Sequence, residues 1–201
     1  MNVIAKNLKG MGKILTYLLA GVFAFATGGA WAANRYWTGG GSDTLWNTAG
    51  NWDSLPGSSD SLFFRTERPN NKTATLNGLY SYSGYMHLGL GGSADEPYIF
   101  EADAADHGLT IQDDVWLGYH EDGGLWLKSG TYTFGTKSGK SLHIGEAKSG
   151  SHDFVLRVGD GTSDVTLNAG NSVYVCGGGG LIADNAKMTV AGSLGIGALQ
   201  K

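Results

Sequence analysis

Met86-His87-Leu88-Gly89, Val115-Trp116-Leu117-Gly118, Leu142-His143-Ile144-Gly145, Tyr174-Val175-Cys176-Gly177 and Leu194-Gly195-Ile196-Gly197 share one pattern: apolar, any residue, apolar, glycine. Successive glycines are 29, 27, 32 and 20 residues apart. Between the copies lie two further sets of short alternating runs. Residues 109–111, 125–127, 155–157 and 181–182 make one set, and residues 132–134, 165–167 and 188–190 the other. Turn formers separate them, as in Ser129-Gly130, Gly159-Asp160-Gly161 and Asn168-Ala169-Gly170. Short period-two strands inside a longer superperiod are the mark of a repetitive β architecture.

Runs this short cannot stand alone. Stacked at about 4.8 Å, each strand satisfies the backbone groups of the equivalent strand in the next coil. The expected fold class is therefore all-β, a right-handed parallel β-helix or β-solenoid. A two-sheet β-sandwich is the alternative, and it would not set the glycine-ended strands side by side in parallel. Alternation sends Met86 and Leu88, Val115 and Leu117, Leu142 and Ile144, Tyr174 and Cys176, and Leu194 and Ile196 inward. His87, Trp116, His143 and Val175 should then point out along one line.

Ahead of the repeats, the first 32 residues read as a secretory signal peptide. Lys6, Lys9 and Lys13 make the N-terminus basic, and no acidic residue occurs before Asp43. Residues 14–26 are apolar apart from Thr16 and Tyr17, a run of 13 against the roughly 20 needed to span a bilayer. Ala30 and Ala32 flank Trp31 in an A-x-A cleavage pattern, leaving Ala33 as the expected mature N-terminus. The mature chain, not membrane-spanning by this reading, holds 11 basic against 18 acidic residues, a net charge of −7. That balance excludes nucleic acid as a partner class, since nucleic acid selects Lys and Arg clusters. Cys176 is the only cysteine, so no internal disulfide can form.

Residues 33–80 form an aromatic segment, the expected N-terminal cap, and residues 81–201 the coils. The segment reads Tyr36-Trp37-Thr38-Gly39-Gly40, Leu45-Trp46-Asn47-Thr48-Ala49-Gly50-Asn51-Trp52, Pro56-Gly57, Asp60 and Leu62-Phe63-Phe64. This series resembles the opening of passenger regions in bacterial autotransporter-associated β-strand repeat proteins. The spacing of Trp46, Asn51, Trp52, Pro56 and Asp60 carries the resemblance, which extends over 33–201. It implies a secreted or surface-displayed β-helix, outer-membrane associated if further sequence supplies a translocator, with an adhesive or surface-structural role. The chain stops mid-pattern at Lys201 without a translocator barrel, which suggests truncation and an open last edge prone to self-association. On physical grounds Trp37, Trp46, Trp52, Phe63 and Phe64 are suited to cover the first coil's open edge. Trp37, Trp46 and Trp52 are also candidates for stacking on sugar rings, the alternative to the favoured capping role.

Little else in the sequence points to catalysis, so no catalytic residue, cofactor or metal ligand is assigned. Cys176 falls on an inward position, where a thiol is inert. His87 and His143 are expected two rungs apart, about 9–10 Å, too far for one metal with bonds near 2 Å. Asp113-Asp114, Asp95-Glu96 and Glu121-Asp122 fall in turns, where solvated acids are expected. Gly159-Asp160-Gly161-Thr162-Ser163-Asp164 looks like a calcium-binding turn but occurs once and lacks the repeat register. The leading reading is an exported non-enzymatic surface or matrix protein. A carbohydrate-binding or polysaccharide-cleaving β-helix is the alternative, with an extracellular glycan or host and cell-surface components as partner classes.

Overall fold

The structure, a computed structural model, describes residues 32–64, 71–89, 97–118, 122–145 and 153–197. The signal-peptide reading of residues 1–31, Ala30 included, lies outside the described residues. Residues Ala32–Lys201 form a compact unit by themselves.

Among the described residues the first strand is β1 (Asn34–Trp37), after which the chain winds through coils of three strands each. The first coil is β2 (Ser61–Phe64), β3 (Thr73–Leu76) and β4 (Leu79–Tyr82), and the second β5 (Met86–Leu88), β6 (Tyr98–Ala102) and β7 (Gly108–Ile111). The third is β8 (Val115–Leu117), β9 (Gly123–Leu127) and β10 (Gly130–Phe134). The fourth is β11 (Leu142–Ile144), β12 (Phe154–Val158) and β13 (Val165–Ala169). The fifth is β14 (Val173–Val175), β15 (Gly179–Ala183) and β16 (Ala186–Val190), and β17 (Leu194–Ile196) starts another. Equivalent strands are hydrogen-bonded neighbours in three sheets of seven, five and five strands, ordered β1-β2-β5-β8-β11-β14-β17, β15-β12-β9-β6-β3 and β16-β13-β10-β7-β4. Every strand pairing among the described residues is parallel. The fold is thus the expected parallel β-solenoid, and the sandwich is ruled out.

Strict alternation fills the interior. On the seven-stranded sheet Leu62, Met86, Val115, Leu142 and Val173 make one buried row, and Phe64, Leu88, Leu117, Ile144 and Val175 another. Tyr98, Leu125 and Leu156 form a row on the second sheet, and Leu109, Tyr132 and Leu167 on the third. Because each rung repeats at the same height, one coil's core packs on the next without offset. Leu194 and Ile196, the last rung, are 52% and 77% exposed.

Three expectations need correction. The fourth glycine-ended copy is displaced by one residue: Leu142, His143 and Ile144 pair with Val173, Tyr174 and Val175. A one-residue slip reverses both faces of a strand, so Val173 and Val175 point inward and Tyr174 takes the outward place assigned to Val175. Cys176 is buried, but it occupies the corner position where the other coils carry Gly89, Gly118, Gly145 and Gly197. The cause is a shorter corner, in which the Gly179 amide donates to the Cys176 carbonyl at 2.7 Å and only residues 176–178 separate β14 from β15. Secondly, residues 109–111 belong with β10, β13 and β16 rather than with β9 and β12. Thirdly, coil structure already begins at Ser61, within the segment read as cap.

Candidate ligand-binding face

The three outer faces differ in chemistry. On the third sheet Ser81, Thr110, Thr133, Asn168 and Thr189 form one outward row, an ordinary solvated face. The second sheet carries Ile99, Trp126, Arg157 and Ile182 in register, with the Arg157 guanidinium 4.7 Å from the Trp126 ring centre. On the seven-stranded sheet the row is Tyr36, Phe63, His87, Trp116, His143 and Tyr174, an aromatic or imidazole ring at six successive rungs.

Strand spacing puts successive rings within contact, and they stack along the row. Tyr36 and Phe63 lie 5.0 Å apart, and Phe63 and His87 meet edge to face at 5.4 Å. Trp116 and His143 are parallel within 4° at 4.1 Å, and His143 stacks on Tyr174 at 5.3 Å. Tyr85 packs beside the row, 4.9 Å from His87. Sequence reading finds the middle of this row but misses Tyr36, Phe63 and Tyr174. Extending the apolar-any-apolar pattern back to Leu62-Phe63-Phe64 would have found Phe63; Tyr174 was hidden by the register slip.

Beside the row lies an open groove of about 300 Å³ lined by Tyr85, His87, Asp113, Asp114, Trp116 and Lys140. The acidic pair sits in the corner before β8, and Lys140 in the corner before β11 reaches across one coil. Its ammonium lies 2.8 Å from Asp113 Oδ1 and 3.0 Å from Asp114 Oδ2. Asp114 Oδ1 also accepts the Ser141 amide at 2.8 Å, and Lys137 approaches Asp113 Oδ2 at 3.6 Å. Partial burial would raise the Asp113 pKa, but the hydrogen bond from Lys140, the Asp114 amide and both lysine charges hold it below the ordinary carboxylate range. Burial lowers the pKa of His143, against the opposing Asp114 charge, so this imidazole is neutral near pH 7. The groove therefore offers an ionised carboxylate, an ammonium and ring edges, a set suited to hydrogen-bonding a polar ligand. General acid catalysis needs a carboxyl with a raised pKa, and Asp113 is shifted the other way.

The tryptophans proposed for sugar stacking lie elsewhere. Trp37, Trp46 and Trp52 are 1%, 1% and 4% exposed, so they present no face to a ligand, and that reading is corrected. They form an edge-to-face cluster with Phe64 and Phe100 over the first coil. Each indole is anchored: Trp37 Nε1 donates to the Asn71 carbonyl at 3.0 Å, Trp46 Nε1 to the Tyr82 hydroxyl at 2.9 Å, and Trp52 Nε1 to the Trp46 carbonyl at 2.7 Å. Edge coverage completes the cap. β1 pairs with β2, and the Trp46 and Thr75 amides exchange hydrogen bonds with the Thr75 and Thr44 carbonyls along the outer edge of β3. Buried Asn51 ties the cap together, its Nδ2 donating to the Leu45 carbonyl at 2.9 Å and its Oδ1 accepting from the Gly41 amide at 2.9 Å. Phe63 alone among the five proposed cap aromatics leaves the cap for the outer row.

The remaining candidates fall apart spatially. Trp116 separates His87 from His143 in the ladder, so one metal cannot take both. Asp160 is engaged in its own turn, its Oδ1 accepting from the Thr162 amide, the Thr162 hydroxyl and the Ser163 amide. These bonds pull its pKa down to about 2. Asp122 Oδ1 accepts the Asp153 amide at 2.7 Å, while Asp95, Glu96 and Glu121 lie outside the described residues. Ala32 is exposed and Ala33 partly buried at the start of β1. Compared with known proteins, the chain matches no family model, no curated protein and no solved structure.

Proposed function

We propose that this chain is an exported, non-enzymatic β-solenoid of the bacterial surface or extracellular matrix that meets its partner through the outer face of the seven-stranded sheet. One observation carries the reading: six rings stand in register on a single outer face, beside a charged groove, with Tyr36, His87, Trp116 and Tyr174 partly exposed and Phe63 and His143 buried between their neighbours, while the third sheet presents an ordinary Ser, Thr and Asn row. Partly exposed rings beside a groove of charged side chains give such a face both apolar and polar contacts to offer a partner.

The export signal and the resemblance of the Trp46, Asn51, Trp52, Pro56 and Asp60 series to autotransporter-associated passenger proteins support the destination. Among the described residues no helix is long and apolar enough to cross a membrane. In the groove Asp113, held below the ordinary carboxylate range, favours binding over cleavage. A polysaccharide is the ligand class best supported, because Asp113, Asp114 and Lys140 can hydrogen-bond hydroxyls while the Tyr85 and Trp116 edges pack on sugar C–H groups. Stacking on ring faces contributes less, since Trp116 already gives one face to His143.

Glycan-array binding by the processed chain, repeated with Trp116→Ala and Lys140→Ala, tests the reading. Binding to a defined polysaccharide that falls at least tenfold in both variants, with no product released, is the expected outcome. Release of shortened glycan would replace it with an enzymatic function. Undiminished binding in both variants would remove the ligand from this face.

A further inference from the structure

Ala33, the residue expected to become the mature N-terminus, already touches a buried carboxylate. Its backbone nitrogen donates to Asp60 Oδ1 at 2.8 Å. Asp60 is 4% exposed, and its second oxygen accepts from Arg35 Nε at 2.8 Å and from the Gly57 amide at 2.9 Å. Ladder bonds hold both partners in place: the Ser61 amide donates to the Ala33 carbonyl at 2.8 Å, and β1 pairs with β2 from Asn34 and Ser61 onward. The site is built before any processing takes place.

We propose that removal of the export signal between Ala32 and Ala33 creates an α-ammonium that forms an ion pair with Asp60 and locks the cap onto the first coil. This rests on the export reading above. In the step itself a signal peptidase directs water to the Ala32 carbonyl carbon and the C–N bond to Ala33 breaks. The hydroxyl stays on Ala32, which ends as a carboxylate, and its proton joins the other water hydrogen on the Ala33 nitrogen. One water is consumed and no net proton released. A neutral amide with a single N–H is thereby replaced, at the same atom, by a cation with three.

Charge balance allows the exchange. In the precursor Arg35 is the cation that faces Asp60 among the described residues. After cleavage two cations, Arg35 and the ammonium, face Asp60 and Asp53, and Asp53 both acts on Arg35 electrostatically and accepts the Tyr36 amide at 2.9 Å. Charge-assisted hydrogen bonds to a carboxylate are roughly twice as strong as neutral ones. The precursor, with only the neutral amide bond at this position, holds its cap less tightly than the processed chain, which suits a chain that must cross a membrane before folding. Pro56-Gly57 and Asp60 of the N-terminal series thus acquire a common purpose, shaping a turn that presents one carboxylate to the new terminus.

The test compares the processed chain, residues 33–201, with a chain beginning one residue earlier at Ala32 and with the processed chain carrying Asp60→Asn. The Ala33 form should melt about 2–4 °C above the Ala32 form, the shift a roughly fivefold change in folding equilibrium gives in a domain of this size. In Asp60→Asn versions of both chains the difference should vanish. The ammonium paired with Asp60 has a pKa above the ordinary α-amino value of about 7.7–8.0. Its stabilisation is therefore complete below pH ~8 and lost as pH rises through the raised value. If Asp60→Asn does not fold, the pH dependence of α-amine acylation in the Ala33 chain decides, and an ordinary value overturns the ion pair. Equal melting temperatures of the Ala33 and Ala32 chains overturn it as well. N-terminal sequencing of the exported full chain is separate: a terminus other than Ala33 refutes cleavage at this bond, whatever the two purified chains do.

Discussion

At the scale of single residues, tryptophan serves two different purposes in this chain. Trp46 is enclosed by Trp37, Trp52, Phe64, Tyr80, Tyr82 and Phe100, and its indole N–H is satisfied only because Tyr82 lies within reach. Burial and the Trp46 hydrogen bond act in opposite senses on the Tyr82 phenol; burial dominates and pushes its pKa up to about 12, so the hydroxyl remains protonated at any ordinary pH. Trp116 stands on the outer row and is only partly buried. Truncation should separate the two. Trp46→Ala is expected to cost about 3–5 kcal/mol, the usual range for emptying a buried aromatic site. Trp116→Ala should cost no more than about 1–1.5 kcal/mol, the worth of lost ring contacts beyond burial, while weakening the glycan binding proposed for that face. Urea unfolding followed by circular dichroism measures both, and a larger loss for Trp116 would contradict the assignment of Trp46 to the cap.

At the scale of strands and corners, glycine decides where one sheet can hand over to the next. After β8 the chain turns at Gly118 with φ +78°, and a Cβ there would lie 2.5 Å from Phe154 Cβ of the next coil. Gly139 adopts φ +75° in the turn before β11, but a Cβ there meets nothing within 4 Å. Both substitutions to alanine carry backbone strain of about 1–3 kcal/mol, and only Gly118→Ala adds the collision. Its midpoint of unfolding should fall clearly further than that of Gly139→Ala, and equal losses would show that Phe154 moves aside without cost. At Cys176 the corner has lost its glycine because the route from β14 to β15 is so short. A non-glycine residue fits there since its φ is not positive, and that same shortening caused the register slip in the sequence reading.

For the molecule as a whole, a buried imidazole and hydrogen-bonded carboxylates make stability depend on acid in two stages. Burial depresses the pKa of His143 from its usual 6.5, so the unfolded chain takes up a proton first and stability begins to fall below about pH 6.5. Burial opposes but does not overcome the hydrogen bonds that depress Asp60 and Asp113, and Asp160 is held near 2 by its own turn. Their contributions are present above the unfolded value near 3.8 and are lost as pH falls through the lower folded values. Thermal melts between pH 7 and 3 should therefore show a shallow decline followed by a steep one below about pH 4. His143→Phe should remove the shallow part alone; its persistence would assign the first proton to another group. By itself the sequence determined the parallel solenoid, the inward rows through four of the five glycine-ended copies and the outward line through His87, Trp116 and His143, because alternation and superperiod are local and repeat many times. It also marked the capping tryptophans by spacing, though not that burial denies them a sugar. Only tertiary structure decided which rung each strand joins, as Tyr174 and residues 109–111 illustrate, since corner lengths set register and leave no period to read. The groove of Asp113, Asp114 and Lys140 and the meeting of Ala33 with Asp60 were decided there too, because each joins residues 26 or 27 positions apart that become neighbours only when one coil stacks upon the next.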